Sequence, residues 1–416
     1  MQRNEKLKTY AEAVQRGDYN RYSGNLSGKH DNVRTYWEDQ LTRFVLRPYL
    51  SKLIINRQKQ GQKLRILDMG CGSGQGYELI TKIDKRDLDL GLQHDRVLPK
   101  DEIEVYLGID LCQEMVDKGN EIFADNPNLK FKQADLRESL NAIKNEKPFD
   151  IYFSSYASMS HLDRPHLEKL LKDICLHSTN ESLIILDFLG RYSIEWPDYW
   201  NAKTEEEKIR DYSMSYLHNG QGEDVEVEHF PVRFWTGDEV DNLVEEISHE
   251  TKIQIELLKK FDRSVLVGRH TDTQQYNPTL KPLRRIVNRL LENYMRTDFS
   301  ELIIDTAIVP ANPEVSPFLN ELIRSWNILT DFCQKRMEEN ASIVELEDWP
   351  EYSTHLQLAL MNIDRIITDI GWMKYGEPRA NIIEPQLGYA LRSLEINTQK
   401  GIGCGHGLVA ILKVTK

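Results

Sequence analysis

Between residues 60 and 190, short apolar runs alternate with longer stretches in which apolar residues recur every three or four positions. The runs fall at 64–69, 103–110, 129–134, 149–156 and 182–188. Runs of this length, closed by glycine or a polar residue, read as buried strands, and the stretches between them as amphipathic helices. Strand–helix alternation predicts a parallel α/β sheet. Ligands of such sheets sit at the carboxyl ends of the strands, and that edge carries Asp68, Asp110, Asp135 and Asp187. Residues 84–96 have no clean period and read as a surface insertion. Thr236, with Glu239 three positions on, predicts a capped helix. Two further strands are expected at 252–258 and 263–269, joined by a turn at 259–262, with the last strand antiparallel.

The flanks read differently. Tyr36, Leu41, Phe44, Val45 and Leu50 recur at roughly helical spacing, with Pro48 as an interruption, so residues 1–60 read as a helical lead-in or cap. After a linker at 271–278, three apolar stripes at helical spacing follow. They run from Leu280 to Tyr294, from Leu319 to Cys333 behind an expected Ser316 N-cap and Pro317 first turn, and from Leu356 to Ile370, stopping at Gly371. Such stripes read as helix core. The chain therefore divides into 1–60, a central domain at 61–270 with a charged substrate cap at 201–232, and a mainly helical domain at 271–416. The last ends in a strand preceded by Gly401-Ile-Gly-Cys-Gly-His-Gly407. Those glycines suit either a second ligand loop or a hairpin, and Cys404 and His406 alone make a poor metal site.

Chemistry concentrates at Leu64-Arg-Ile-Leu-Asp-Met-Gly-Cys-Gly-Ser-Gly-Gln-Gly76, which reads as strand, glycine turn and helix. Glycine serves where the backbone takes positive φ or approaches a ligand, and a helix N-terminus favours a polar or anionic ligand end. The dinucleotide pattern Gly-x-Gly-x-x-Gly fails, because position 75 is Gln and position 77 is Tyr, and there is no lysine for a phosphate loop. The remaining pattern, Asp68-x-Gly70-x-Gly72-x-Gly74, resembles the glycine motif of class I S-adenosylmethionine (SAM) methyltransferases. The resemblance covers roughly residues 40–270. It implies a Rossmann-like doubly wound sheet and a cofactor site formed by Asp68, Gly70, Cys71, Gly72, Gly74 and Ser155. It implies that Asp110, beside Leu111, accepts from the ribose hydroxyls, and that Asp135 and the Leu136 N–H meet the adenine. It also implies that Tyr22, Lys29 and Arg34 are candidates for the SAM carboxylate. One departure is spacing, since the 84–96 insertion separates Asp110 from the turn by more than the usual ~20 residues.

Methyl transfer needs donor and acceptor held in line, and a base where the acceptor carries a proton. The base should come from the loops after the fourth and fifth strands. His161 suits it, since histidine titrates near neutrality, with Tyr156 beside it. Arg191, Tyr192 and Trp196 are expected to shape the acceptor pocket. The aromatic segment 192–200 would either stack a planar or cationic substrate or anchor a lid.

The 416 residues carry a net charge of −13, which speaks against a broad nucleic-acid or anionic-membrane surface. No run is long enough to span a bilayer, and five dispersed cysteines suit a reducing cytoplasm. The expected activity is transfer of a methyl group from SAM, with S-adenosylhomocysteine (SAH) as product, to O or N of a small molecule, without a metal. A protein or RNA acceptor, a non-catalytic SAM/SAH-binding module, and a homo-oligomer through the C-terminal domain stand as alternatives.

Overall fold

The computed structural model describes residues 10–19, 26, 28–85, 95–218, 229–346, 348–372 and 376–416. Tyr22, and parts of the 84–96 and 201–232 segments, lie outside them. In chain order the main elements are α1 (Asp39–Lys59), β1 (Leu64–Met69), α2 (Gln75–Thr81), β2 (Ile103–Asp110), α3 (Gln113–Ile122), β3 (Leu129–Gln133), β4 (Ile151–Phe153), α4 (Arg164–His177) and β5 (Leu183–Gly190). They continue with β6 (Ile209–Ser213), β7 (His229–Trp235), α5 (Gly237–Thr251), β8 (Gln254–Arg263), α6 (Leu283–Leu290), α7 (Ser316–Glu338), α8 (Thr354–Asp369), α9 (Glu384–Thr398) and β9 (Gly407–Thr415).

Strands β3, β2, β1, β4 and β5 lie side by side and parallel. Next to β5 runs β9, antiparallel, and β8 pairs antiparallel with β9. A short ribbon of β6 and β7 joins the carboxyl end of β5 through Leu189 and Gly190. Strand periodicity sends alternate side chains to opposite faces. On β5 and β9, Ile184, Leu186, Phe188, Leu408, Ala410 and Leu412 enter one core, and Leu183, Ile185, Val409 and Ile411 the other. All eight residues of β5 are buried, as a central strand covered on both faces requires.

Several expectations change. The 252–269 segment contains one strand, β8, not two; its antiparallel partner is β9, from the far end of the chain. The sheet is thus completed from both sides of the helical region. Pro48 does not interrupt α1, which continues through it; burial of Leu46, Leu50 and Leu53 in the sheet-facing core offsets the lost backbone bond. Ser316 is the first residue of α7 rather than its cap, and its hydroxyl donates to the Pro310 carbonyl. Thr236 and Glu239 form the expected capping box. The three helical stripes join one core with Val33, Trp37, Trp200 and Val265 to Val267, except Tyr294, which lies past the end of α6 and is exposed. No helix among the described residues is long and apolar enough to cross a membrane.

Candidate functional site

The glycine turn closes the carboxyl end of β1. Gly70 and Cys71 donate their N–H groups to the Ile109 carbonyl, tying the turn to β2. Gly74 has φ +89°, and a Cβ there would lie 2.6 Å from the Phe123 ring, so only glycine fits. Asp110 completes the arrangement: Oδ2 accepts from Gly72 N–H at 2.8 Å and Oδ1 from Cys112 N–H at 2.9 Å. Burial pushes its carboxyl up, against the pull of those N–H donors. Each oxygen retains a lone pair for a further donor.

These groups line a cavity of about 280 Å³ over the strand ends, near the lower end of small-molecule sites. Of the expected cofactor residues, Gly70, Cys71, Gly72, Asp110, Leu111, Asp135, Leu136 and Ser155 line it. Asp135 caps the turn after β3 and pairs with Arg137 at 2.7 Å. Lys29 and Arg34 line it as well. Asp68 and Gly74 do not line the cavity. Asp68 lies buried beneath the turn, where one oxygen accepts from the Tyr106 hydroxyl and the other has no partner among the described residues; burial raises its pKa to about 7.

The cavity holds five described cations, and four are already paired: Arg34 with Asp39, Arg137 with Asp135, Arg263 with Asp187, and Arg269 with Glu38. Lys29 has no carboxylate at ion-pair distance among the described residues. Its ammonium lies 2.8 Å from the Tyr19 ring centroid, and burial, then Arg34 and Arg269, hold its pKa well below the ordinary lysine range. A buried amine in this state gains most from an incoming carboxylate, whose charge favours its protonated form.

Tyr156 and Ala157, after β4, both take positive φ, a cost of order 1–3 kcal/mol each that surrounding contacts must offset. The Tyr156 N–H donates to Asp187 at 2.6 Å, its hydroxyl to Asp39 at 3.1 Å, and the Arg34 guanidinium covers its ring at 3.3 Å. Tyr156 is therefore a wall of the cavity whose hydroxyl is committed elsewhere. His161 lines the cavity, meets the Tyr10 hydroxyl at 3.2 Å and stacks on Phe230.

The expected acceptor residues Arg191, Tyr192 and Trp196 do not line the cavity. Arg191 pairs with Glu239 at 2.8 Å. Tyr192 packs against the helical core. Trp196 is 1% exposed, with its indole N–H on the Gly190 carbonyl. Its ring packs at 5.5 Å from His406, and His406 does line the cavity. His406 Nδ1 meets Glu195 Oε2 at 2.8 Å, and the Glu195 side chain is fully buried. Burial alone would push the Glu195 carboxyl up, but the His406 ring and its hydrogen bond bring it below the ordinary range.

The glycine run before β9 owes its shape to an internal anion. Asp262, on β8, accepts from Ile402 N–H at 2.9 Å, Gly403 N–H at 2.8 Å and Gly405 N–H at 3.4 Å. The loop binds this chain's own carboxylate and delivers His406 to the cavity. Only the isolated Cys-Gly-His-Gly spelling marked His406 in the sequence; its partner lies 211 residues away.

Residues 96–178 match a family of methyltransferase domains. No curated protein matches the chain. Among solved structures, the chain is similar to a SAM-dependent methyltransferase from Clostridium acetobutylicum ATCC 824, at 15% identity, over 52% of this chain and 83% of that one, with a TM-score of 0.34. It is similar to a DhpI–SAH complex at 12% identity, over 62% and 91%, with a TM-score of 0.34. A third is the CcbJ methyltransferase from Streptomyces caelestis, at 11% identity, over 52% and 81%, with a TM-score of 0.33.

Proposed function

We propose, from the premise that the chain carries a class I SAM-dependent methyltransferase domain, that it moves a methyl group to an oxygen or nitrogen of a small-molecule acceptor. The observation that carries this reading is Asp110. It is a cavity-lining carboxylate, pinned by Gly72 and Cys112 N–H groups, with acceptor capacity to spare. That acceptor, held at a strand end, fits the hydroxyls of a nucleoside. Asp110 accepts the ribose hydroxyls, Asp135 and the Leu136 N–H meet the adenine edge, and Lys29, helped by Arg34, receives the carboxylate. When bound, SAM supplies a methyl carbon activated by a sulfonium. The chain's own task is to hold the acceptor in line with that carbon and to keep water away.

A small acceptor is favoured over a macromolecule by the way the N-terminal segment crosses the site. The Tyr10 hydroxyl reaches His161, and the Lys29 ammonium lies over Tyr19, so the strand ends are covered by this chain itself. The test is incubation of the full chain with tritiated SAM and a fractionated metabolite extract. Label in low-molecular-weight products, lost in Asp110→Ala, is expected. Label confined to protein or RNA would overturn the acceptor class.

A further inference from the structure

We infer that His406, held by Glu195, is the general base of the reaction, and that the acceptor is a neutral planar hydroxyl compound of the phenol class; this rests on the methyltransferase reading above. Glu195 is fully buried and a carboxylate only accepts hydrogen bonds, so at 2.8 Å the His406 Nδ1–H is the donor of this contact. Nε2 is then a lone-pair nitrogen on a ring that lines the cavity. His406 immediately precedes β9, whose Gly407 is paired with Leu189 at the carboxyl end of β5. Among the described residues, the titratable groups facing its ring are Glu195 from the loop after β5, His270 from beyond β8 and Tyr212 from β6, beside the Trp196 ring. In the same cavity, His161 meets the Tyr10 hydroxyl through its own Nε2 at 3.2 Å.

The charge inventory selects the acceptor. Once Lys29 meets the cofactor carboxylate, every described cation of the cavity is paired, so an anionic acceptor finds no free counter-ion among the described residues. The wall around His406 and His161 is instead aromatic and apolar, with Tyr10, Tyr212, Tyr216, Met214 and Val232. A carboxylate acceptor needs no base, and a neutral amine already offers its lone pair. A hydroxyl gains most from a held imidazole. The acceptor oxygen forms the new bond to the methyl carbon as the carbon–sulfur bond breaks, the electron pair returning to sulfur. The hydroxyl proton passes to His406 Nε2, and Glu195 balances the imidazolium. Glu195 is a positioning residue.

The test uses the full chain, labelled SAM and three probes that share one body: 4-ethylphenol, 4-ethylaniline and 4-ethylbenzoate. Transfer to the phenol should exceed transfer to the other two by roughly 100-fold. His406→Asn should lower phenol turnover by about 100-fold or more, with SAM affinity, read by calorimetry, within about twofold. Glu195→Gln should move the acid limb of the kcat–pH profile, and Glu195→Asp should restore part of it. In ¹⁵N-histidine spectra of the wild-type chain, His406 should show a protonated Nδ1 and a bare Nε2 at pH 8. Faster transfer to the aniline or benzoate, or to none of the three by a chain that binds SAM, overturns the proposal and leaves the methyltransferase reading standing. So does an unchanged rate in His406→Asn. A wild-type chain that fails to bind SAM overturns both.

Discussion

Replacing Asp110 with alanine probes the cofactor site with little ambiguity. In the free protein Asp110 makes two backbone hydrogen bonds, to Gly72 and Cys112, and its charge is disfavoured by burial. Removing it orphans two N–H groups, at about 1–3 kcal/mol each if they stay dry, but it also relieves a desolvated charge. Water can enter the cavity, so the two effects largely cancel, and the melting temperature should fall by only a few degrees. Binding behaves differently. Each ribose hydroxyl donating to a carboxylate contributes about 1.5–3 kcal/mol, so the loss is roughly 3–6 kcal/mol, or about 10²–10⁴-fold in Kd. Because burial raises the Asp110 pKa, wild-type affinity should also weaken as pH falls through that raised value, and the variant should lack this dependence. Calorimetric titration with SAM at several pH values reads both effects. A folded Asp110→Ala protein whose Kd stays within about threefold of wild type would refute the ribose assignment.

Asp68, with a folded pKa of about 7 against an ordinary value near 4, holds a proton that the unfolded chain has lost between those pH values. Stability must then fall as pH rises across that window, by roughly 4 kcal/mol in all. Asp68→Asn should remove the fall, so urea unfolding should show the variant gaining on wild type from pH 4 to pH 8; a constant difference would contradict it. Lys29, depressed by burial, should take up a proton when a carboxylate arrives. SAM binding above that depressed pKa should show a buffer-dependent enthalpy that Lys29→Met abolishes, and a buffer-independent enthalpy in the wild type would count against the carboxylate contact. Gly403 has φ +92° with the Trp235 carbonyl 2.7 Å from an added Cβ, whereas Gly61 has φ +67° and open space. Gly61→Ala should cost about 1–2 kcal/mol and Gly403→Ala clearly more, with His406 displaced; equal melting temperatures would refute the close-packing account.

What the sequence made legible is local. The glycine turn, the strand-end acids Asp110 and Asp135 and the capping box at Thr236 are each written within a few residues, and each appears where expected, whereas Asp68 lies beneath the turn instead of in the cavity. The antiparallel strand was misplaced because 252–269 holds enough apolar residues for a hairpin, while its partner is separated by the whole helical region. The acceptor side fared worst. An aromatic run at 192–200 looks the same whether it lines a pocket or fills a core, and Trp196 fills the core behind His406. The Glu195–His406 pair is a long-range contact with no spacing signal. The glycines at 401–407 look like a ligand loop because they form one, around the chain's own Asp262.

The most direct measurement is a crystal structure of the chain with SAH. The account predicts both ribose hydroxyls on Asp110, the adenine at Asp135 and Leu136, and the carboxylate on Lys29, with His406 on the wall facing the sulfur. A nucleoside seated elsewhere, or bound with its ribose away from Asp110, would contradict it.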